Sequence, residues 1–550
     1  MKTALIVSGG GFQGLTLVRS LQQLKDVRVV VCDIYPENVT RYLCLDYIVA
    51  PPLSDLDAFK RFLFETVQRE KIDAIFPSTS IELAALSQLK QKLHAHGAIV
   101  AVSDHALLDT LLDKQHTHTW LCGAGLPVQP LLQPVASDVE FPIFGRPRDG
   151  WGGRETILLR HLQDVTAHAA DISTHVWTRF LPEFDEFSAD FAINAASGIS
   201  PIVLRRRLRT SGGFAVISDS VIDPPLENLA ARTAQAIATA GGSGLFNIQI
   251  LVTPNAGTYI SDVNPRSGTS ATHALAESIN LAGFFMDSVG GTPVAPHVAP
   301  RKQARTVRVL EDIVVPHLPR RPRGIVFDLD DTLVDHKLWM LEKIEGLYPA
   351  IFEGCIDREM FLLCAARLID EGVRADLIDR LLDELALSPT LRDKAIHLYR
   401  KTIVSPTPLF DDVAPVLTAL KAKGFVLGAL TDNPPATQQA KVKYATPLDC
   451  LDAIIYSREH GKEKPDSAGF IQAATALGTS PDQLVMVGDN YFRDGVGAIR
   501  AGYMHALIVG REGTLLSHHT GIAARLGINE SRLIDRVDSL LSVFHACSES

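Results

Sequence analysis

At 550 residues the chain is too long for a single hydrophobic core, and roughly 100–200 residues per domain predicts three or four folding units. A composition of 46% hydrophobic and 21% charged residues, with 39 Gly and 31 Pro, excludes a disordered, collagen-like or coiled-coil chain. The formal charge of −10 is mild and the dense basic stretches are Arg205–Arg209 and Arg320–Arg323, so small-molecule partners are expected and nucleic acid is not.

The first hundred residues alternate short apolar runs (4–7, 27–32, 74–76 and 98–102) with helical periodicity, which predicts a parallel sheet with crossover helices. The first run enters Gly9-Gly10-Gly11-Phe12-Gln13-Gly14, read either as an anion-binding turn or as a turn that lets strand and helix pack closely. A helix over Leu107–Gly123, strands bounded by Pro and Gly, and a helix near Glu227–Ala240 follow. The Pro-rich stretch Val315–Arg323 continues neither a helix nor a central strand and is the expected boundary. Beyond it another α/β pattern begins at Gly324, is interrupted by a helical insertion over 336–405, and resumes with strands at 426–430, 453–456, 484–489 and 506–509. The expected domains are therefore 1–105, 106–314, a linker at 315–323, and 324–545. Seven cysteines without a CxxC pair point to a reducing compartment. No apolar segment reaches the roughly 18 residues of a membrane span, so a cytoplasmic protein without a membrane partner is expected. The paired histidines, such as His94 and His96, lack the spacing of a helical zinc pair and are expected on the surface.

Two groups of residues carry chemistry. The run Phe246 to Val252, a turn at Thr253–Gly257, and Thr258 to Asn264 form a hairpin whose alternation sends Gln249, Asp262 and Asn264 to one side. One carboxylate and two amide oxygens suit a hard cation such as Mg²⁺, or Mn²⁺, shared with nucleotide phosphates. With Asp113-Lys114, Gly125-Leu126-Pro127, Phe141 to Pro147, Gly150-Trp151-Gly152-Gly153 and Asn264-Pro265-Arg266 in this order, residues 1 to 300 resemble the ATP-grasp family, nearest to the large subunit of carbamoyl-phosphate synthetase and related carboxylate–amine ligases. The resemblance implies a Rossmann-like pre-ATP-grasp domain and an α+β ATP-grasp domain. It also implies nucleotide binding by Lys114, Arg146, Gly152, Gly153 and Glu186, metal binding by Gln249, Asp262 and Asn264, and phosphoryl or substrate contact by Arg266. Asp262 replaces the usual Glu and is one methylene shorter, so one Mg²⁺ is expected. Arg205 and Arg209 are read either as anchors for a substrate carboxylate or phosphoryl group, or as a solvated cationic hairpin; Trp151 is read as packing in the lid.

The second group opens with Asp328-Leu329-Asp330-Asp331-Thr332 after an apolar strand, where period two puts Asp328 and Asp330 on one side at the carboxyl edge of a parallel sheet. Leu430-Thr431-Asp432-Asn433, Lys462-Glu463-Lys464-Pro465-Asp466 and Gly488-Asp489-Asn490, with Asp494, follow in order. The set, over residues 323 to 515, resembles the haloacid dehalogenase superfamily with a helical cap. The resemblance implies that Asp328 is a nucleophile forming an aspartyl-phosphate and Asp330 a general acid/base. Thr431 and Lys464, preferred over Lys462, neutralise phosphoryl oxygens; Asp328, Asp330 (through its carbonyl), Asp489 and Asp494 build the Mg²⁺ site.

The expected protein is an α/β enzyme with two centres: an ATP-dependent ligase joining a small-molecule carboxylate to an amine or other nucleophile, and a Mg²⁺-dependent phosphatase acting on a phosphorylated small molecule. An ATP-grasp phosphotransferase and a nucleotide-sensing module are the alternatives for the first half, and a homodimer is left open.

Overall fold

The computed structural model describes residues 1–136, 138–150, 155–255, 257–289, 302–309, 311–511 and 532–548. The chain forms two compact units, Met1–Glu311 and Asp312–Ser550. The basic run near the boundary is fastened to the second unit: Arg320 Nη2 lies 2.5 Å from Asp482 Oδ2, Arg321 stacks 4.9 Å from the Phe425 ring centre, and Arg323 N donates to Gln483 O at 2.9 Å.

In the first unit β1 (Lys2–Val7), β2 (Val27–Asp33), β3 (Asp46–Val49), β4 (Ala74–Pro77) and β5 (Ile99–Val100) form a parallel sheet in the order β3-β2-β1-β4-β5. Its strands are apolar on both faces because both are covered. Ile6, Val31 and Phe76 pack with Leu17 and Phe285 on one side, whereas Leu5, Val30 and Ile75 pack with Leu63 and Leu86 on the other. The glycine turn is a packing device. A Cβ on Gly14 would stand 1.9 Å from Gly9 O, and Gly10 N already donates to Asp33 Oδ2 at 2.8 Å.

The helix expected over Leu107–Gly123 is two helices, His105–Leu112 and Lys114–Gly123. Asp113 separates them with extended backbone and caps the second, its carboxylate accepting from Gln115 N and His116 N, so a local side-chain cap overrides the apolar periodicity.

The remainder of this unit is antiparallel. β6 (Ile143–Pro147), β7 (Ile157–Leu159) and β8 (His175–Arg179) form a small sheet in the order β7-β6-β8. A larger one is built from β9 (Asp185–Ile193), β10 (Val203–Ser211), β11 (Phe214–Ser220), β12 (Gly244–Thr253), β13 (Gly257–Asn264) and β14 (Arg305–Val307), in the order β13-β12-β9-β10-β11-β14. The helix Pro224–Thr239 covers one face, setting Ala230, Ala234 and Ile237 against Phe191, Phe246 and Ile248. The opposite face of β9, β10, β12 and β13 is where polar residues gather.

The second unit is a parallel sheet of β15 (Gly324–Phe327), β16 (Val426–Thr431), β17 (Ala453–Tyr456), β18 (Leu484–Gly488), β19 (His505–Val509) and β20 (Ile534–Val537), ordered β17-β16-β15-β18-β19-β20. β15 lies between β16 and β18, so the chain turns outward in opposite directions from this point and the three carboxyl ends open side by side. Between β15 and β16 stand the helices His336–Glu345, Arg358–Asp370, Leu377–Glu384 and Arg392–Lys401, the helical insertion. Among the described residues no helix is long and apolar enough to cross a membrane.

Candidate functional site

A cavity of about 650 Å³ lies in the first unit, lined by residues of both antiparallel sheets and of the loop after β4. Lys114, Arg146, Glu186, Gln249, Asp262, Asn264 and Arg266 all line it. The hairpin register explains three of them: Gln249 pairs with Asp262 and Asn247 with Asn264, so successive pairs share one face of the β12–β13 ladder. Arg146 Nη1 donates to Ser261 O at 2.8 Å, and Lys114 Nζ to Gly150 O at 2.8 Å. Arg266 spans Ser80 Oγ at 3.0 Å and Asn264 Oδ1 at 3.2 Å. Burial lowers the pKa of Lys114, Arg146 and Arg266, with Asp262 opposing in each case. Burial raises that of Glu186, against its ion pair with Arg207. Phe144, Phe180, Leu181, Phe184 and Leu251 supply the apolar part of the lining. This combination, an apolar wall beside clustered cations and oxygen donors, accommodates a planar base and an anionic phosphate chain. Gln249, Asp262 and Asn264 offer the hard oxygen atoms that a divalent cation on those phosphates takes.

The arginine run divides differently from expectation. Arg205 is no anchor for a ligand: it is buried, with Nε 2.8 Å from Asp190 Oδ2 and Nη1 3.2 Å from Ser218 Oγ. Arg209 is exposed and absent from the cavity lining, because register shifts after Arg207 break the alternation. Arg207 is the member that faces the cavity, and it pairs with Glu186. Arg179, Asn247 and Ser80 also line the cavity without having stood out in the sequence. Gly152, Gly153 and Trp151 lie outside the described residues.

In the second unit Asp328, Asp489 and Asp494 bring carboxylate oxygens within 4.8 Å of one another. Asp328 follows β15 with its N–H donating to Val487 O at 2.8 Å, and Asp489 follows β18. Gly488 makes the close approach possible: a Cβ there would meet Asp494 Cγ at 2.3 Å. Lys464 Nζ bridges Asp328 Oδ1 and Asp494 Oδ1, each at 2.6 Å. Burial works against its ammonium, but Asp328 and Asp494 outweigh it and hold the pKa above the ordinary lysine value. Lys462 instead stands on the surface, 3.5 Å from Asp466. Burial and the crowding of like charges push Asp328 up to about 7 against Lys464, and Asp489 up to about 9. A carboxylate trio of hard oxygen donors, with Asp328 and Asp489 raised, fits Mg²⁺, whose charge relieves that crowding.

Asp330 occupies a separate pocket of donors. Its Oδ2 accepts from Asn433 Nδ2 at 2.5 Å and Gln438 Nε2 at 2.8 Å, and its Oδ1 accepts from Lys441 Nζ at 2.5 Å. Burial pushes this carboxyl up, yet Lys441 and the amides hold it far below the usual carboxylate range. Thr431 Oγ1 accepts from the same Gln438 amide at 2.6 Å, which turns its hydroxyl hydrogen elsewhere. Beside them His336, driven down to about 4 by burial, offers Nδ1 to Lys441 at 3.1 Å. Asp432 accepts from Ser457 Oγ at 2.6 Å, Lys464 N at 3.0 Å and Arg493 Nη2 at 2.5 Å, fixing the loop after β16. Gln438 and Lys441 carried no sequence signal, because a helix reading Pro435-Ala-Thr-Gln-Gln-Ala-Lys-Val-Lys has no apolar stripe to reveal which polar residues turn inward, and His336, at the start of the helix His336–Glu345, did not stand out either.

Among solved structures, N5-carboxyaminoimidazole synthetase from Staphylococcus aureus complexed with ADP matches 56% of this chain and 82% of its own, at 19% identity and a TM-score of 0.47. The C-terminal unit is 30% identical over 188 residues to glyceraldehyde 3-phosphate phosphatase of Methanopyrus kandleri, covering 33% of this chain and 81% of the relative. It is 29% identical over 212 residues to N-acylneuraminate-9-phosphatase of Mus musculus, covering 35% and 84%. The haloacid dehalogenase-like hydrolase family model matches residues 322–502. With its carboxylate cluster at the carboxyl ends of β15 and β18 and its relatives matched over most of their length, the chain belongs, through its C-terminal unit, to the haloacid dehalogenase-like hydrolases.

Proposed function

We propose that the protein is a bifunctional enzyme: a Mg²⁺-dependent phosphomonoesterase in the C-terminal unit and an ATP-dependent ligase of the ATP-grasp type in the N-terminal unit. The phosphatase reading is supported by Lys464 bridging Asp328 and Asp494 beside Asp489. Asp328 attacks the phosphorus, the ester P–O bond breaks, and the leaving oxygen takes a proton from Asp330. Water then attacks the aspartyl-phosphate, giving its proton to Asp330, and the P–O bond to Asp328 breaks. Resting Asp330 is ionised and set to accept, so the proton it gives the leaving oxygen is taken up from solvent as the substrate binds, against the pull of Lys441 Nζ at 2.5 Å. Mg²⁺, when bound, neutralises the phosphoryl oxygens. Thr431 and Lys464 orient the same group.

The ligase reading is carried by the convergence of Lys114, Arg146, Glu186, Gln249, Asp262, Asn264 and Arg266 on one cavity. A substrate carboxylate attacks the γ-phosphorus of ATP, ADP leaves, and an amine or other nucleophile then displaces phosphate from the acyl carbon. Such transfer rests on positioning and charge neutralisation, which Arg146, Arg266 and Lys114 supply without a protein nucleophile.

The test is ADP release against a library of carboxylates with and without amines, followed by product mass. A ligase needs two co-substrates, a phosphotransferase one, and a nucleotide sensor releases no ADP. Asp262→Ala or Asn264→Ala is expected to abolish ATP turnover while hydrolysis of p-nitrophenyl phosphate persists. Loss of both activities in a folded protein would sink the two-centre reading.

A further inference from the structure

On the first cap helix, His336–Glu345, Trp339 and Lys343 are one turn apart and share a face. Lys343 is 6% exposed, most of its side chain being covered by its neighbours. Its Nζ stands 4.8 Å from the Trp339 ring centre and 4.5 Å from that of Tyr399, which comes from the cap helix Arg392–Lys401. Among the described residues no carboxylate pairs with it. The same indole carries the Lys441 ammonium at 4.2 Å, and Lys441 is the residue that grips Asp330. Two buried lysines thus share one tryptophan, and among the described residues only Lys441 has a counter-ion.

A third cation belongs to this group. Arg374, after the helix Arg358–Asp370, donates through Nη1 to Ile369 O at 2.8 Å and Val373 O at 3.1 Å, which caps that helix. Its charge acts on Tyr399, His336 and Asp331. Two cap helices therefore bring Lys343 and two aromatic rings together one indole away from the acid/base carboxylate, and Arg374 acts on the same Tyr399. A buried cation without a counter-ion is costly to keep in a folded protein unless a ligand supplies the missing charge. Burial and Lys441 together lower the Lys343 pKa to about 8, so an arriving anion meets an ammonium still largely charged at neutral pH.

We infer that Lys343 receives a second anionic group on the leaving alcohol of the phosphomonoester, so that the phosphatase selects substrates carrying a carboxylate or a further phosphate besides the one it removes. The inference rests on the phosphatase reading and gives that site a substrate class. Trp339 and Tyr399 cover the ammonium on two sides, which strengthens its pairing with the incoming anion. Neutral alcohols leave Lys343 unpaired and lose that interaction.

The experiment compares near-isosteric esters on the full chain with Mg²⁺: 3-phosphoglycerate, glycerol 3-phosphate and glycerol 1,3-bisphosphate. The expected wild-type kcat/KM favours the carboxylate or the bisphosphate over glycerol 3-phosphate by about tenfold or more, and the two anionic arms distinguish which group is taken. Lys343→Met is expected to lower that ratio by about 10- to 100-fold, mainly through KM, whereas Lys343→Arg retains most of it. Because Lys343→Met removes an unpaired buried charge, its thermal midpoint is expected to equal or exceed wild type; a structural lysine predicts a fall. Should the variant not fold, competitive inhibition of the wild type by glycerate against glycerol decides the matter in the same direction. A wild-type ratio near one, or a ratio unmoved in folded Lys343→Met, overturns the inference. Hydrolysis of none of the esters, or activity surviving Asp328→Asn, overturns the phosphatase reading instead.

Discussion

Lys441 Nζ lies 2.5 Å from Asp330 Oδ1 while the Trp339 ring centre sits 4.2 Å from the same nitrogen. The pair ties the helix after β16 to the loop after β15, so the position of Asp330, the proposed acid/base, depends on a residue more than a hundred positions away. It also keeps Asp330 ionised in the resting enzyme.

Removing Lys441 has a pH signature. In the folded wild type the Asp330 pKa is depressed, so its contribution to stability is present above the unfolded value near ~3.9 and lost as pH falls through the folded one. In Lys441→Met the carboxylate is left buried without its cation, and its folded pKa rises above the unfolded value. The expected deficit in unfolding free energy is about 3–5 kcal/mol at pH 7 and shrinks toward pH 5, as the carboxyl takes up a proton. Denaturant titrations of wild type and variant at both pH values check this; an equal deficit at each contradicts the assignment.

Asp328→Asn retains size but cannot form the phosphoenzyme, so phosphatase turnover is expected to vanish. Asp330→Asn is expected to hydrolyse esters of good leaving groups slowly and to accumulate phosphoenzyme, visible by acid quench and mass analysis. If the two centres act in sequence on one molecule, the Asp328→Asn protein is expected to release a ligation product about 80 mass units heavier than wild type, one HPO₃ group.

The three arginines of β10 are expected to separate cleanly. Arg205→Met leaves Asp190 buried and unpaired and costs about 3–5 kcal/mol of stability. Arg207→Met removes the partner of Glu186 and raises the KM for ATP with a smaller loss of stability. Arg209→Ala, exposed beyond the register shift, changes stability by no more than about 0.5 kcal/mol. Thermal melts and ATP titrations of the three variants check the order.

Saturating Mg²⁺ is expected to stabilise the C-terminal unit, by about 2.7 kcal/mol at a hundredfold excess over its Kd. Without Mg²⁺, Asp489→Asn is expected to be more stable than wild type at pH 7, because a carboxyl raised to about 9 by burial and like charges is replaced by a neutral amide. The same substitution is expected to abolish the Mg²⁺ increment. Melts with EDTA and with Mg²⁺ measure both effects.

The linear order of residues determined the chemistry that depends on single strand ends: apolar runs ending in Asp328 and Asp489, the Lys464-Pro465 turn, and the alternation that pairs Gln249 with Asp262. These are local, since a strand of period two and the loop after it decide which side a residue takes. Proline limits its own backbone, which is why a boundary was expected at the Pro-rich stretch 315–323; the two units divide between Glu311 and Asp312. What only the tertiary structure decided is which polar groups find each other across the sheet. Arg205 is consumed by Asp190, Arg207 faces the cavity and Arg209 leaves it, although all three read alike. Lys441, Gln438 and Lys343 are buried from helices without the apolar pattern that signals an inward face. Their burial is set by partners far along the chain, through charge pairing, amide bonds and aromatic contact. Periodicity within one helix reports where apolar surface goes, and it cannot report where a distant carboxylate or indole will stand.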